Sequence, residues 1–218
     1  MEILLSEDKS VNISPWKSKT RKQFIKLFKE KKTDVLEDDI VDILVMPYIE
    51  PNNIFLSSDE IQYLLIKIRE ISLDNKISFI MECENCKEDF DVDIELNKLV
   101  NYSPGNFSKA SICEWTDELN KDTFKKSLEK YPDEVPKDLE MLIHIKSCND
   151  KDYTLDLDKL IDDFDDFKLS EILNIKNEYS EVKSKLEISS TIKCTKCGFS
   201  KKYQFDVIPS FFDPLMPK

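Results

Sequence analysis

Two stretches of the chain decide the fold: ISFIMECENCKEDFDVDIEL at residues 77–96 and ISSTIKCTKCGFSKKYQFDV at residues 188–207. In each stretch, apolar and polar residues alternate on both sides of a Cys-x-x-Cys turn. A period of two is typical of a half-buried strand, and two such strands around a short turn predict a β-hairpin. Each stretch is therefore predicted to be a hairpin with two cysteines at its tip.

The four cysteines of these turns are candidate metal ligands: Cys83, Cys86, Cys194 and Cys197. A Cys-x-x-Cys turn directs two thiolates at a common centre, and a structural zinc ion takes four such ligands in a tetrahedron. Cys194 lies 108 positions after Cys86, far beyond the spacing of a compact zinc finger. The pattern thus predicts a split zinc ribbon, in which one structural zinc ion ties the centre of the chain to its C-terminal part.

Two alternatives to a zinc site stay open at this point. The two turns could be independent cysteine pairs that bind nothing, or one of them could be a redox dithiol. The redox motif favours a junction between a strand and a helix, whereas strands are predicted on both sides of each turn here. If zinc is bound, four thiolates leave no open position, so the ion would be structural and not catalytic.

The remaining cysteines and the single histidine are interpreted as structural residues. Cys113 and Cys148 are expected to be small buried hydrophobic residues rather than ligands. His144 and Cys148 could form a thiol–imidazole pair on one face of a helix, but the alternation over residues 139–146 predicts a strand. Residues four apart on a strand are about 13 Å from one another. His144 is therefore interpreted as an ordinary strand residue.

Composition excludes several classes of function. The 218 residues include 32 Lys and Arg against 44 Asp and Glu, a net charge of −12, which disfavours a phosphate-backbone partner. Two glycines cannot build the phosphate-binding loops or the nucleophile elbow, and a single histidine excludes paired-histidine zinc motifs. No stretch is long and apolar enough to span a membrane, and residues 1–8 do not resemble a signal peptide. A reducing cytoplasm is the expected compartment.

The predicted fold class is α+β, with helices packed against small antiparallel β-hairpins that include the split zinc-ribbon-like element. Ser57 and Glu60 form a capping box before a helix over residues 58–71; further helices are predicted near 17–32, 35–45, 115–131 and 169–186, strands near 139–147 and 152–157, and a loop over 101–112. We expect residues 1–218 to form a single compact unit. Its predicted segments are an N-terminal helical region (17–72), the first hairpin (77–96), a mixed helix and strand insertion (101–187), the second hairpin (188–207) and a C-terminal tail (208–218).

The middle of the chain resembles a known family. The run LSSDEIQYLLIKIREIS at residues 56–72, the strand Ile77-Ser78-Phe79, the Cys83/Cys86 turn and FDVDIEL at residues 90–96 are similar to the baseplate hub assembly proteins and hub subunits of T4-like contractile-tailed bacteriophages. The similarity covers residues 20–100 well, and the second Cys-x-x-Cys turn and the Phe-Phe tail also look like that family. Residues 101–168 carry no motif of it.

The resemblance implies a tail protein without enzymatic activity that acts in assembly of the central baseplate hub, as a subunit or as an assembly factor. Its expected partners are other phage hub and tail proteins, with neither nucleic acid nor membrane. Its expected place is the host cell cytoplasm during assembly, and the virion tail baseplate if it is retained there. Phe211 and Phe212 are candidate partner-binding residues, because aromatic side chains are enriched at interface hot spots; a tail folded onto its own core is the alternative.

The competing hypothesis is a nucleic-acid-binding or transcription-factor-like zinc ribbon. The second turn is surrounded by lysines, but acidic residues surround the first and would repel phosphate. The basic residues are Lys193, Lys196, Lys201 and Lys202, and the acidic ones are Glu82, Glu84, Glu88 and Asp89. An enzyme that uses carboxylates alone is a third class, although the sequence pairs no two acids in a recognisable site.

Overall fold

The computed structural model describes residues 1–31, 37–54, 56–116, 141–142, 144–148, 151–152, 159–160, 163 and 166–205. Within these ranges the helices are α1 (Ser18–Lys31), α2 (Glu37–Leu44), α3 (Ser58–Ser72), α4 (Leu96–Leu99) and α5 (Leu169–Val182), with 3₁₀ turns at Met46–Tyr48 and Phe107–Lys109. The strands are β1 (Glu2–Leu4), β2 (Ser10–Ile13), β3 (Ile49–Glu50), β4 (Lys76–Glu82), β5 (Asp89–Glu95), β6 (Val100–Ser103), β7 (Cys113–Trp115), β8 (Ile145–Cys148), β9 (Lys151–Asp152), β10 (Lys185–Lys193) and β11 (Ser200–Gln204). None of the described helices is long and apolar enough to cross a membrane.

The strands form four small antiparallel sheets, as the predicted fold class requires. Their orders are β1-β2-β3, β4-β5, β11-β10-β6 and β7-β8-β9. The two predicted cysteine hairpins are β4-β5 and β10-β11, which pair over seven and five residues respectively. Helices lie beside small antiparallel sheets throughout the described ranges, so the chain is a mixed α/β protein.

The helix α3 begins where the sequence predicts. Ser57 Oγ accepts a hydrogen bond from the Glu60 backbone N–H, and the Glu60 carboxylate accepts one from the Ser57 N–H at 2.8 Å. Lys9 Nζ also donates to the buried Glu60 carboxylate, at 2.8 Å. The capping box therefore fixes the start of α3 and ties it to the turn between β1 and β2.

The other end of α3 is fixed by Arg69. Its guanidinium is 2% exposed and donates to the backbone carbonyls of Asp74 and Lys76 at 3.0 and 3.2 Å. Burial lowers the pKa of Arg69, and the charge of Asp74 opposes that shift. These bonds fix the conformation of the turn between α3 and β4, and therefore the direction in which the first cysteine hairpin leaves the helix.

The buried apolar residues form two clusters. The first contains residues of the N-terminal strands, of α1 to α4 and of both cysteine hairpins; the second contains residues of β7, β8 and α5 together with residues 141–142 and 160. Backbone N–H groups of Gly105 and Asn106 donate to the carbonyls of Leu5 and Val182, which belong to the first and second cluster respectively. That all 218 residues form one compact unit stays a prediction.

Several predicted element boundaries are wrong between residues 101 and 186. The predicted loop at 101–112 begins with the end of β6 and contains a 3₁₀ turn. Trp115 lies in β7, and residues 117–131 of the predicted helix lie outside the described residues. The predicted helix 169–186 ends at Val182, and Leu186 belongs to β10. In each case pairing with a strand distant in sequence overrides the local pattern.

The predicted strand near His144 is shorter than expected. Among the described residues of this region, 141–142 are helical, His144 lies in a turn, and Ile145–Cys148 forms a strand. The His144 ring is buried, and its Nδ1 lies 2.7 Å from the Thr116 carbonyl oxygen. The strand begins at Ile145 because this residue pairs with Trp115 of β7.

The prediction for the other two cysteines also needs correction. Cys113 and Cys148 are buried, but they form a disulfide with an S–S distance of 2.00 Å. They face each other across β7 and β8, and this cross-strand placement brings the two sulfurs within bonding distance. A bonded Cys148 leaves no thiol for the His144–Cys148 pair.

A buried carboxylate organises the second cluster. Glu178 on α5 accepts hydrogen bonds from the backbone N–H groups of Ser111, Ile112 and Cys113 at 2.5, 2.7 and 3.1 Å, and from the Trp115 indole at 2.9 Å. Burial raises the pKa of Glu178, but these donors outweigh it and hold the pKa below its ordinary value. The ionised carboxylate thus fastens the start of β7 to α5.

We predict that Glu178→Gln destabilises the protein by about 2–4 kcal/mol at about pH 7, because hydrogen bonds to a charged group are worth about 1.5–3 kcal/mol each and two of the buried donors would face an amide NH2 group in place of a carboxylate oxygen. A group with a lowered folded pKa contributes stability above its unfolded pKa, about 4.3, and loses it as the pH falls through the folded value. The difference between the wild type and Glu178→Gln in urea unfolding should therefore shrink as the pH falls below about 4.

The matched control is Glu181→Gln, which changes an exposed carboxylate on the same helix and should alter stability by less than about 0.5 kcal/mol. Equal pH dependence of the wild type and Glu178→Gln would contradict this role for Glu178.

Candidate metal centre

Each cysteine turn is closed by the same backbone hydrogen bonds. In the first turn the Cys83 N–H donates to the Glu88 carbonyl at 3.0 Å, and the Lys87 N–H donates to the Cys83 carbonyl at 2.9 Å. In the second, the Cys194 N–H donates to the Phe199 carbonyl at 2.8 Å, and the Gly198 N–H donates to the Cys194 carbonyl at 2.9 Å. The two sequences thus adopt one local geometry, as their shared motif predicts.

The geometry needs a left-handed residue four positions after the first cysteine. Gly198 has φ of 77° there, and Lys87 has φ of 61° at the equivalent position of the first turn. Glycine adopts this conformation readily, whereas a residue with a Cβ is disfavoured. The Gly198 position is therefore explained by backbone conformation. The first turn adopts the same shape with a less suitable residue.

The two turns bring all four cysteine sulfurs together. Their Sγ atoms lie within 4.8 Å of one another. Across the turns, Cys83 Sγ is 3.6 Å from Cys197 Sγ, and Cys86 Sγ is 3.8 Å from Cys194 Sγ. A tetrahedral zinc ion with four sulfurs at about 2.3 Å places those sulfurs roughly 3.8 Å apart. The donor set and its spacing therefore fit a Cys₄ zinc site.

The cluster is enclosed on one side and open on the other. Cys83 and Cys194 are buried, Cys86 is half-buried and Cys197 is exposed. The Lys196 N–H points at Cys194 Sγ, 3.4 Å away, and the Asn85 side-chain amide points at Cys197 Sγ, 3.6 Å away. Such donors stabilise thiolates, the form in which cysteine binds metal.

The thiols differ in acidity because of these surroundings. The Phe199 backbone N–H and then the Asn85 amide lower the pKa of Cys197 to about 6. The Glu88 N–H favours the thiolate of Cys86, but burial and hydrogen bonds with the other three sulfurs raise its pKa to about 12. A metal would need all four thiolates, so its binding releases protons and weakens at low pH.

Charged side chains also connect the two turns. Lys201 on β11 donates to the Glu84 carboxylate of the first turn at 2.6 Å, which raises the pKa of Lys201. Lys202 is paired with Glu187 at 2.6 Å. Two of the four lysines around the second turn therefore engage carboxylates of the protein.

The structure places some predicted site residues and leaves others undescribed. It brings Cys83, Cys86, Cys194 and Cys197 into one cluster, whereas Phe211 and Phe212 lie outside the described residues. The supporting roles of Asn85 and Glu84 were not predicted, because hydrogen bonds between turns leave no signal in either turn alone. The left-handed Lys87 could have been found by aligning the two turns, since Gly198 occupies the same offset.

We predict opposite effects of two substitutions at the equivalent turn positions. Lys87→Gly should stabilise the protein by about 1 kcal/mol, because glycine lacks the Cβ that makes the left-handed backbone conformation of this position unfavourable for lysine. Gly198→Ala should destabilise it by a similar amount, since a Cβ at Gly198 meets only a flexible lysine carbon at 3.9 Å and the backbone angle is the main cost. Thermal or urea unfolding checks both.

Gly105→Ala is the comparison, because at this position an added Cβ would be crowded by neighbouring backbone atoms and the φ angle is not the cost. A Cβ there would lie 3.0 Å from the Ser184 backbone nitrogen and 3.3 Å from the Val182 carbonyl oxygen. A stabilising Gly198→Ala or a strongly destabilising Lys87→Gly would contradict the shared turn geometry.

Comparison with known proteins identifies the family. A family model described as T4 bacteriophage base plate protein matches residues 1–213. No curated protein and no solved structure matches the chain. The match includes residues 101–168, where the sequence shows no recognisable motif, and both cysteine turns. The chain therefore belongs to the T4 bacteriophage base plate protein family.

Proposed function

We propose that the protein works in the central baseplate hub of a contractile phage tail, as a hub subunit or an assembly factor, and that it acts through protein contacts. Family membership over residues 1–213 is the observation that carries this proposal. The expected partners are other hub and tail proteins of the phage. The protein would act in the host cell cytoplasm during assembly and remain in the virion tail baseplate if it is a hub subunit.

We further propose that Cys83, Cys86, Cys194 and Cys197 hold one structural zinc ion. Four sulfurs at tetrahedral spacing support this assignment, and a complete set of thiolates leaves no position for substrate or water. The role of the metal would be to hold the two hairpins together, so that the surfaces they carry keep a fixed geometry. This role requires no enzymatic activity.

A nucleic-acid-binding role has less support. Lys201 and Lys202 are paired with Glu84 and Glu187, and the net charge is −12. Phosphate binding would have to compete with these ion pairs. Tight binding to DNA or RNA in a low-salt gel-shift experiment would overturn the proposed mode of action.

The zinc proposal predicts about one zinc ion per chain in protein purified without chelator, and none in Cys194→Ser. The Tm of that variant should fall by about 10 °C or more, because metal binding contributes directly to folding free energy. Metal analysis and calorimetry make the two measurements. A chelator should lower the wild-type Tm toward that of Cys194→Ser.

Cys113→Ser is the matched control, because Cys113 belongs to the disulfide and not to the cluster. We expect it to lose some stability but to keep its zinc. Zinc in Cys194→Ser at the wild-type level would contradict the proposed ligand set.

The assembly proposal predicts that the tagged protein captures other hub or tail proteins from phage-infected cells. The double substitution Phe211→Ala and Phe212→Ala should reduce that capture about tenfold or more, as expected for aromatic interface anchors. Leu169→Ala is the control; it removes an apolar side chain on α5, which is 72% exposed, and should leave capture unchanged. Capture of no phage protein by the wild type would contradict the assembly role, whereas undiminished capture by the double variant would contradict only the role of the tail.

A further inference from the structure

A groove lies between the two cysteine hairpins. It has a volume of about 360 Å³ and is lined by residues 90–95 of β5 on one side and residues 190–193 of β10 on the other. This volume falls within the range of ligand-binding clefts. β5 and β10 do not pair with each other in the described sheets, and no β4 residue lines the groove. The groove therefore follows the edge of β5 that is remote from β4.

The backbone groups on this edge of β5 point away from the hairpin. The Cys83 N–H donates to the Glu88 carbonyl at 3.0 Å, and hydrogen-bonded pairs alternate along an antiparallel ladder. The N–H and C=O groups of Asp89, Asp91 and Asp93 are thus directed away from β4. Among the described residues, neither a second strand nor a backbone hydrogen bond engages them.

β10 presents a second strand edge to the groove. The Cys194 N–H bonds to the Phe199 carbonyl at 2.8 Å, so by the same alternation the backbone groups of Thr191 and Lys193 point away from β11. The pairing of β10 with β6 ends at Ile188 and does not reach these two residues. Both walls of the groove therefore offer backbone donors and acceptors.

The exposed face of β5 is acidic beside the groove. The side chains of Asp89, Asp91 and Asp93 are exposed, and no lysine or arginine among the described residues forms an ion pair with them. Lys98 also lines the groove, but it is paired with Glu95 at 2.9 Å. Opposite charges on adjacent strands stabilise their pairing, and like charges directly opposite destabilise it. A strand added here should therefore carry basic residues on this face, whereas β5 of a second copy would set aspartate against aspartate.

The other face of an added strand would meet apolar side chains. Val92, Ile94 and Ile192 are buried and line the groove. Because side chains alternate between the two faces of a strand, apolar residues at every second position would contact this surface.

We propose that the groove binds an extended segment of a partner protein, which adds to the edge of β5 as a strand and alternates basic with apolar residues. Backbone hydrogen bonds supply affinity in this mode of recognition, and the alternate side chains supply specificity. The inference gives the proposed assembly role a surface and a partner chemistry, and it rests on that role only in that the natural ligand would be another tail protein.

The probe for the test is a capped seven-residue peptide in which lysine alternates with valine, titrated into the full-length protein purified without chelator. NMR-detected hydrogen exchange is the readout. The Asp91 and Asp93 amides should exchange rapidly in the free protein. They should slow about tenfold when the peptide is present at ten times its dissociation constant, because only the free edge exchanges.

Two comparisons separate strand addition from attraction by charge alone. A peptide of the same sequence with methylated backbone amides keeps its charges but lacks the donors, and it should give no protection. Asp91→Lys should weaken binding of the original peptide about fivefold or more. Glu181→Lys makes the same change of charge at an exposed position on α5 and should leave binding unchanged. Circular dichroism checks that each variant is folded.

Four results would overturn the inference. Absence of peptide binding would show that the edge does not accept a strand. Asp91 and Asp93 amides already protected in the free protein would show that another part of the chain or a second copy covers the edge. Equal protection by the methylated peptide, or equal weakening by both lysine substitutions, would show that charge alone attracts the probe. None of these results tests the hub role, which capture from infected cells tests separately.

Discussion

Two cysteine turns that lie far apart in the sequence meet through four sulfur atoms, and the described architecture depends on that meeting. Cys86 and Cys194 are 108 positions apart, yet their sulfurs lie 3.8 Å from one another. In the chain-entropy model, a link that closes a loop of this length stabilises a protein by roughly 4–5 kcal/mol. That is a large share of the 5–15 kcal/mol that typically separates folded from unfolded protein.

The contact between the two cysteine turns also constrains the positions of the strands that lead to them. β10 leaves the pairing with β6 at Ile188 and then pairs with β11 up to the second turn, so its position is fixed at both ends. β5 leads into α4 and β6, which returns the first hairpin to the same sheet. The ion pair between Glu84 and Lys201 adds a polar contact beside the sulfurs. A zinc ion would therefore act on the relative placement of the two hairpins, which is how a non-enzymatic metal could serve assembly.

The sequence predicts local features well and non-local ones poorly. The hairpins, the capping box of α3 and the clustering of the four turn cysteines follow from periodicity and spacing, because each depends on neighbouring residues or on a repeated motif. The end of α5 at Val182, the strand β6 and the disulfide depend on partners distant in the sequence. Cys113 and Cys148 stand in unremarkable local patterns, and only the pairing of β7 with β8 reveals that they face each other. Glu178 is a similar case, since one glutamate on a helix shows no sign of the donors that surround it.

Zinc K-edge X-ray absorption on the purified protein tests the central claim most directly, because it reports the type, number and distance of the metal ligands without depending on stability. The account predicts four sulfur ligands at about 2.3 Å, and loss of this signal in Cys194→Ser. Protein without bound zinc, or zinc bound through oxygen and nitrogen ligands instead of four sulfurs, would contradict it.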